Sequence, residues 1–208
     1  MRLAVSLFVA MGVLWPAAVS AAQLTPASAQ PAIEMNYTIV LSSIMKAALE
    51  RRVPGFAAWS VQDFSADLLK TYDFKPFAPW KPFLSRQTPS AVIGDFNGDG
   101  AADAALLGHD ETHGLRLVVL SRKGGYDVVE FAPKYALTDP MTPNHRIGGG
   151  NVEEYLAFVA PGKIKAEPAY GRPELNLKAD AFELGVFEKA STLYYHDDER
   201  WQQQVLSD

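Results

Sequence analysis

Residues 94–103 read Gly-Asp-Phe-Asn-Gly-Asp-Gly-Ala-Ala-Asp, and they constrain the fold more than any other stretch of the chain. Four oxygen-bearing side chains, Asp95, Asn97, Asp99 and Asp103, recur around Gly98 and Gly100. Glycine reaches backbone conformations closed to other residues, so two of them at this spacing permit a tight loop. A tight loop points alternate side-chain oxygens at one centre, as a hard divalent cation requires, and calcium is the expected ion. Three carboxylates held within a few ångströms would otherwise repel one another and raise each other's pKa. The competing reading is a hairpin whose Asp, Asn and Gly serve the turn alone.

The first half of the run matches an EF-hand loop, but Leu106 stands where that loop needs a bidentate Glu. Its flanks are also strand-like: Ala-Val-Ile-Gly-Asp leads in over residues 91–95, and Asp-Ala-Ala-Leu-Leu leads out over 103–107. The stretch 91–107 instead resembles the calcium loops of FG-GAP/VCBS-type repeats, the units of integrin-like β-propeller blades. That resemblance implies a loop joining two β-strands, with the ninth-position acid replacing the absent Glu. It further implies side-chain oxygens from Asp95, Asn97, Asp99 and Asp103 and a backbone carbonyl from Ala101 as metal ligands. Only one such loop is present, in a chain too short for a closed propeller. The layout resembles small bacterial exported proteins that carry a lone unit.

The amino terminus supports export. Arg2 precedes an apolar run from Leu3 to Trp15, and small residues fill 17–22. This pattern is that of a signal peptide, residues 1–22, cut after Ala21 or Ala22. The apolar run is shorter than the roughly 20 residues of a membrane span. Residues 23–36, rich in Ala, Ser, Thr and Pro, read as a flexible leader, and 37–208 as one domain. A periplasmic or secreted protein is expected, without a membrane span once the signal is removed. There is no cysteine, so disulfides cannot supply stability in such a compartment. The net charge of −5 and the lack of a basic stripe exclude phosphate-driven nucleic-acid binding.

Hydrophobic periodicity predicts an α+β fold that is mainly antiparallel sheet, a meander with the calcium loop, plus two N-terminal helices. The helices are expected over 38–52, with Val40, Leu41, Ile44, Met45, Ala48 and Leu49 on its apolar positions, and over 61–72. Pro54-Gly55 ends the first. Strands are expected at 91–95, 103–107, 115–120 and 126–131, with Gly124-Gly125 as a tight hairpin turn. Further strands are expected at 153–159, 163–166, 181–187, 192–196 and 201–206. Between the two groups, 132–151 reads as a loop. Residues 74–83 repeat aromatic-x-Pro, which stacks Phe74, Phe77, Trp80 and Phe83 along one stripe of a polyproline II segment. Such an arm either covers the protein's own core or is offered to a partner.

Other motifs read as ordinary structure. His109 and His113, four residues apart with acids between them, fall between strands rather than on a zinc-gripping helix. Gly148-Gly149-Gly150-Asn151 lacks the Lys-Ser/Thr and the helix of a phosphate loop. His145-Arg146 stands just before it with no assigned role. The charged run 196–200 reads as a hairpin tip. No Gly-x-Ser-x-Gly elbow is present, and no catalytic residue is singled out. The expected function is a non-enzymatic exported module with a structural calcium ion, engaging a macromolecule, protein or polysaccharide. The alternative is a cell-envelope hydrolase supported by calcium, and a third reading is an enzyme inhibitor.

Overall fold

The computed structural model describes residues 36–74, 85–138, 147–165, 171–197 and 200–207. The expected signal peptide, most of the expected leader, His145-Arg146 and nearly all of the aromatic-x-Pro arm lie outside the described residues. Strands dominate, and among the described residues all strand pairs are antiparallel.

Helix α1 spans Ser43–Arg52. It starts later than the apolar spacing suggests, because the Ser42 side chain accepts from the Met45 amide at 3.2 Å and caps the first turn. Met45, Ala48 and Leu49 are buried as expected, whereas Val40 and Ile44 are exposed. Helix α2, Ala66–Thr71, is likewise shorter than the expected 61–72, with Ser65 as its cap. Phe64, just ahead of it, instead forms a bridge to Val152.

The first sheet holds β1 (Ala57–Ala58), β2 (Gln87–Thr88), β3 (Ala91–Gly94), β4 (Asp103–His109), β5 (His113–Arg122), β6 (Gly125–Glu130) and β7 (Tyr135–Ala136). Its path is β2-β3-β4-β5-β6, of which β3 to β6 form the expected meander, and β1 pairs with β4 and β7 with β5. The short strands β1, β2 and β7 have no clear periodicity, and sequence reading passed over them. The β5–β6 turn is Lys123-Gly124 rather than Gly124-Gly125, since Arg122 pairs with Gly125 and Gly124 takes the positive φ of 91°.

The second sheet runs β13-β12-β11-β8, from β8 (Glu154–Val159), β11 (Ala181–Val186), β12 (Ser191–Asp197) and β13 (Arg200–Ser207). The short pair β9 (Gly162–Ile164) and β10 (Leu175–Leu177) stands apart from both sheets.

Alternation sorts the side chains into layers. Ala104, Leu106, Leu115, Leu117 and Val119 pack with Met45 and Leu49 of α1. Their strand neighbours Ala105, Leu107, Val118 and Leu120 point the other way, to Leu156, Phe182 and Tyr194 of the second sheet. Beyond that sheet, Leu177 of β10 packs on Ala181 and Leu193. The central strands of the first sheet are therefore covered on both faces, which is why 115–120 reads as an almost continuous apolar run. The exception is Arg116, on the inter-sheet face. It forms an ion pair with Glu154 of β8 while both side chains are largely buried (15 % and 10 % exposed). The edge of β8 is tied back to the first sheet: the Leu156 amide donates to the Pro89 carbonyl at 2.9 Å and the Phe158 amide to Gln87 Oε1 at 2.6 Å.

Candidate functional site

Gly94 pairs with Asp103, so the acidic loop is the connection between β3 and β4. Gly98 and Gly100 take φ of 74° and 85°, the left-handed region that the sequence demanded of them. Inside the loop the side chains bind their own backbone. The Asp95 carboxylate accepts from the amides of Asp99 (3.0 Å) and Gly100 (2.8 Å). Asn97 Oδ1 accepts from Asp99 N at 3.1 Å, and Asp99 Oδ1 from Ala101 N at 2.9 Å. The Asn97 and Asp99 bonds are successive Asx turns, and the Asp95 bonds close the wider loop around them.

A residue that sequence reading did not single out organises the far side. Ser121, buried near the end of β5, donates its hydroxyl to Asp99 Oδ2 at 2.8 Å. Its carbonyl and hydroxyl oxygens both receive Asn97 Nδ2, at 2.9 and 3.2 Å. Its amide donates to Asp103 Oδ1 at 2.6 Å. Ser121 thus touches three of the four oxygen-bearing side chains. The only trace of this in the sequence is a small polar residue directly after the apolar run.

Asp103 differs from its loop partners. It is wholly buried, on the same strand face as Ala105 and Leu107, and its second oxygen accepts from Phe96 N at 2.8 Å. Burial pushes its carboxyl above the ordinary carboxylate value, and the amides of Ser121 and Phe96 offset this only in part. Asp99 is exposed, and the Ala101 amide, followed by the Ser121 hydroxyl, holds its carboxyl below the ordinary value.

The loop also reaches the second sheet. The Asp95 amide donates to Asp180 Oδ2 at 2.9 Å, and the Asp180 amide donates back to the Asp95 carbonyl at 3.1 Å. Gly94 makes this approach possible, because a Cβ there would stand 2.8 Å from the Phe96 ring and 3.0 Å from Asp180 Cβ.

Asn97, Asp99 and Asp103 are therefore brought together around Ser121, and Asp95 is joined to them through the loop amides. The three carboxylates do not close into a ready-made grip: among the described residues, no group of three or more His, Cys, Asp or Glu side chains is placed to hold a metal ion. The donor chemistry nonetheless fits a hard cation. Every candidate side-chain ligand is an oxygen, three are acids, and a carboxylate oxygen that accepts one amide keeps further acceptor capacity.

Other motifs take part in turns and packing. Asp110 Oδ1 accepts from the amides of Thr112 and His113, both at 2.7 Å, which makes 110–112 a plain turn between β4 and β5. The His109 ring lies 4.5 Å from that of Trp59. The glycine corner is anchored by buried Asp63, which accepts from Gly148 N at 2.5 Å and binds Ser60 through its other oxygen. A shallow surface hollow of about 130 Å³ is lined by residues including Glu174, Lys178, His196 and Asp197. Both of its carboxylates face lysines, Glu174 with Lys163 and Asp197 with Lys178. No helix among the described residues is long and apolar enough to cross a membrane.

Comparison of the chain with protein-family models, with curated proteins and with solved structures gave no match.

Proposed function

We propose that this chain is an exported, non-enzymatic β-rich module that uses calcium as a structural ion. In this reading Asp95, Asn97, Asp99, Asp103 and the Ala101 carbonyl hold the ion. The observation that carries it is the placement of four oxygen-bearing side chains on one hairpin loop, with three of them gathered on Ser121. Calcium would supply charge neutralisation: it relieves the mutual repulsion of Asp95, Asp99 and Asp103, and it offsets the burial that pushes the Asp103 carboxyl up. The whole forms one α+β unit with two N-terminal helices and the calcium loop. Its role outside the cytoplasm is to engage a macromolecular partner, through its β-loops or through the aromatic-x-Pro arm.

Calorimetry of the full chain with calcium and with chelator tests the ion. A concentration one hundred times the dissociation constant adds about 2.7 kcal/mol to stability. The chelated protein should melt at a lower temperature, and superimposable melting curves would overturn the assignment.

A further inference from the structure

We propose that the acidic loop is a cation-responsive clasp between the two sheets, with Asp180 as the positioning residue that transmits occupancy to β11. This rests on the calcium reading above. Asp180 immediately precedes β11, and its hydrogen bonds to the loop go to the main chain of Asp95, not to the side-chain oxygens that would hold an ion. Those two reciprocal bonds close a ring that fixes the first acidic residue of the loop against the entry to the second sheet. Arg86 stands 3.7 Å from the same Asp180 oxygen and anchors it from the first-sheet side.

A second contact runs beside the first. Phe96, the residue after Asp95, is fully buried with its ring 5.1 Å from Phe182 of β11 and 6.3 Å from Trp201 of β13. Its amide is held by Asp103. Ordering of Asp95 and Asp103 by an ion therefore fixes both the main chain that Asp180 grips and the ring that β11 packs against. Linkage makes the effect reciprocal: if the ion favours the docked second sheet, docking favours the ion by the same factor. Asp180 should then govern calcium affinity without contacting calcium.

The experiment uses the full chain with calcium chloride as the only ligand. Titration calorimetry reads affinity, and hydrogen–deuterium exchange reads each strand. In the wild-type protein, calcium should slow exchange of the β11 amides as well as those of the loop. Asp180→Ala should bind calcium about fivefold more weakly, and calcium should no longer protect β11. Asp180→Asn, which retains an acceptor oxygen for the Asp95 amide, should restore both. A tight calcium titration with protection confined to 95–103 would overturn the clasp while leaving the calcium site standing. So would an Asp180→Ala variant that matches wild type in both readouts. Absence of any binding heat and any protection in the wild type would overturn the calcium reading and the clasp together. Should Asp180→Ala fail to fold, the wild-type exchange pattern and Asp180→Asn decide the question.

Discussion

Two acidic turns sit at opposite ends of β4, one between β3 and β4 and one between β4 and β5, and they use their carboxylates differently. Asp110 spends its Oδ1 on its own turn, receiving the amides of Thr112 and His113 and the Thr112 hydroxyl at 3.1 Å. Nothing in that set lies more than three residues away. The loop at 95–102 begins with the same local Asx turns but then reaches out. Asn97, Asp99 and Asp103 meet Ser121 on β5, and Asp95 meets Asp180 at the mouth of β11. Acidic composition is common to both turns, and long-range attachment belongs to one. A turn that closes on itself needs its acids for geometry alone. A loop that connects β3 to β4 and also holds β5 and the entry to β11 makes its charge state matter to the assembly.

Breaking the β3–β4 loop at its root should cost most. Asp103→Ala strands two amides, Phe96 and Ser121, in a buried setting. At about 1–3 kcal/mol for each orphaned donor, a loss of about 2–6 kcal/mol is expected in urea denaturation without calcium. Asp99→Ala separates ion binding from folding: without calcium it should cost only the net worth of its hydrogen bonds from Ala101 N and the Ser121 hydroxyl, about 0.5–1.5 kcal/mol each. The calcium-dependent gain, about 2.7 kcal/mol at one hundred times the dissociation constant, should vanish in calorimetry. Asp110→Ala is the control from the other turn. It removes local hydrogen bonds with a net worth of about 0.5–1.5 kcal/mol each, and its calcium response should equal that of the wild type.

The smallest effect is in pH. At Asp110, slight burial pushes the carboxyl up, but the Thr112 and His113 amides outweigh it and leave the pKa below its ordinary 3.8. A depressed folded pKa gives stability that is present above the unfolded value and is lost as pH falls through the folded one. The stability difference between wild type and Asp110→Asn should therefore stay level from neutral pH down to about 3.8 and shrink below it.

Legibility in the sequence followed locality. The β3–β4 loop could be read because glycine and Asx chemistry act over a few residues, and the strands of the meander because their apolar runs are long. Helix α1 starts later than its apolar spacing predicts because Val40 has the right spacing but no core to face, while the Ser42 cap sets the start. Ser121 and Asp180 were invisible for a different reason. Each lies far along the chain from the loop it serves, and only strand pairing and sheet stacking bring them there. The same holds for Arg116, whose place in an apolar strand made sense only once Glu154 appeared opposite it.

Each sheet also contains a tyrosine lying across a glycine of the neighbouring strand: Tyr135 over Gly114 in the first, Tyr155 over Gly185 in the second. An added methyl would stand 2.0 Å from a Tyr135 ring carbon at Gly114 and 2.3 Å from one of Tyr155 at Gly185. A scan that replaces every glycine by alanine should thus find these two as intolerant as interior leucines, while Gly125, with open space around it, accepts the change. Enlarging either position evicts a phenol ring, and shrinking the tyrosine leaves a bare groove, so each pair can change only together.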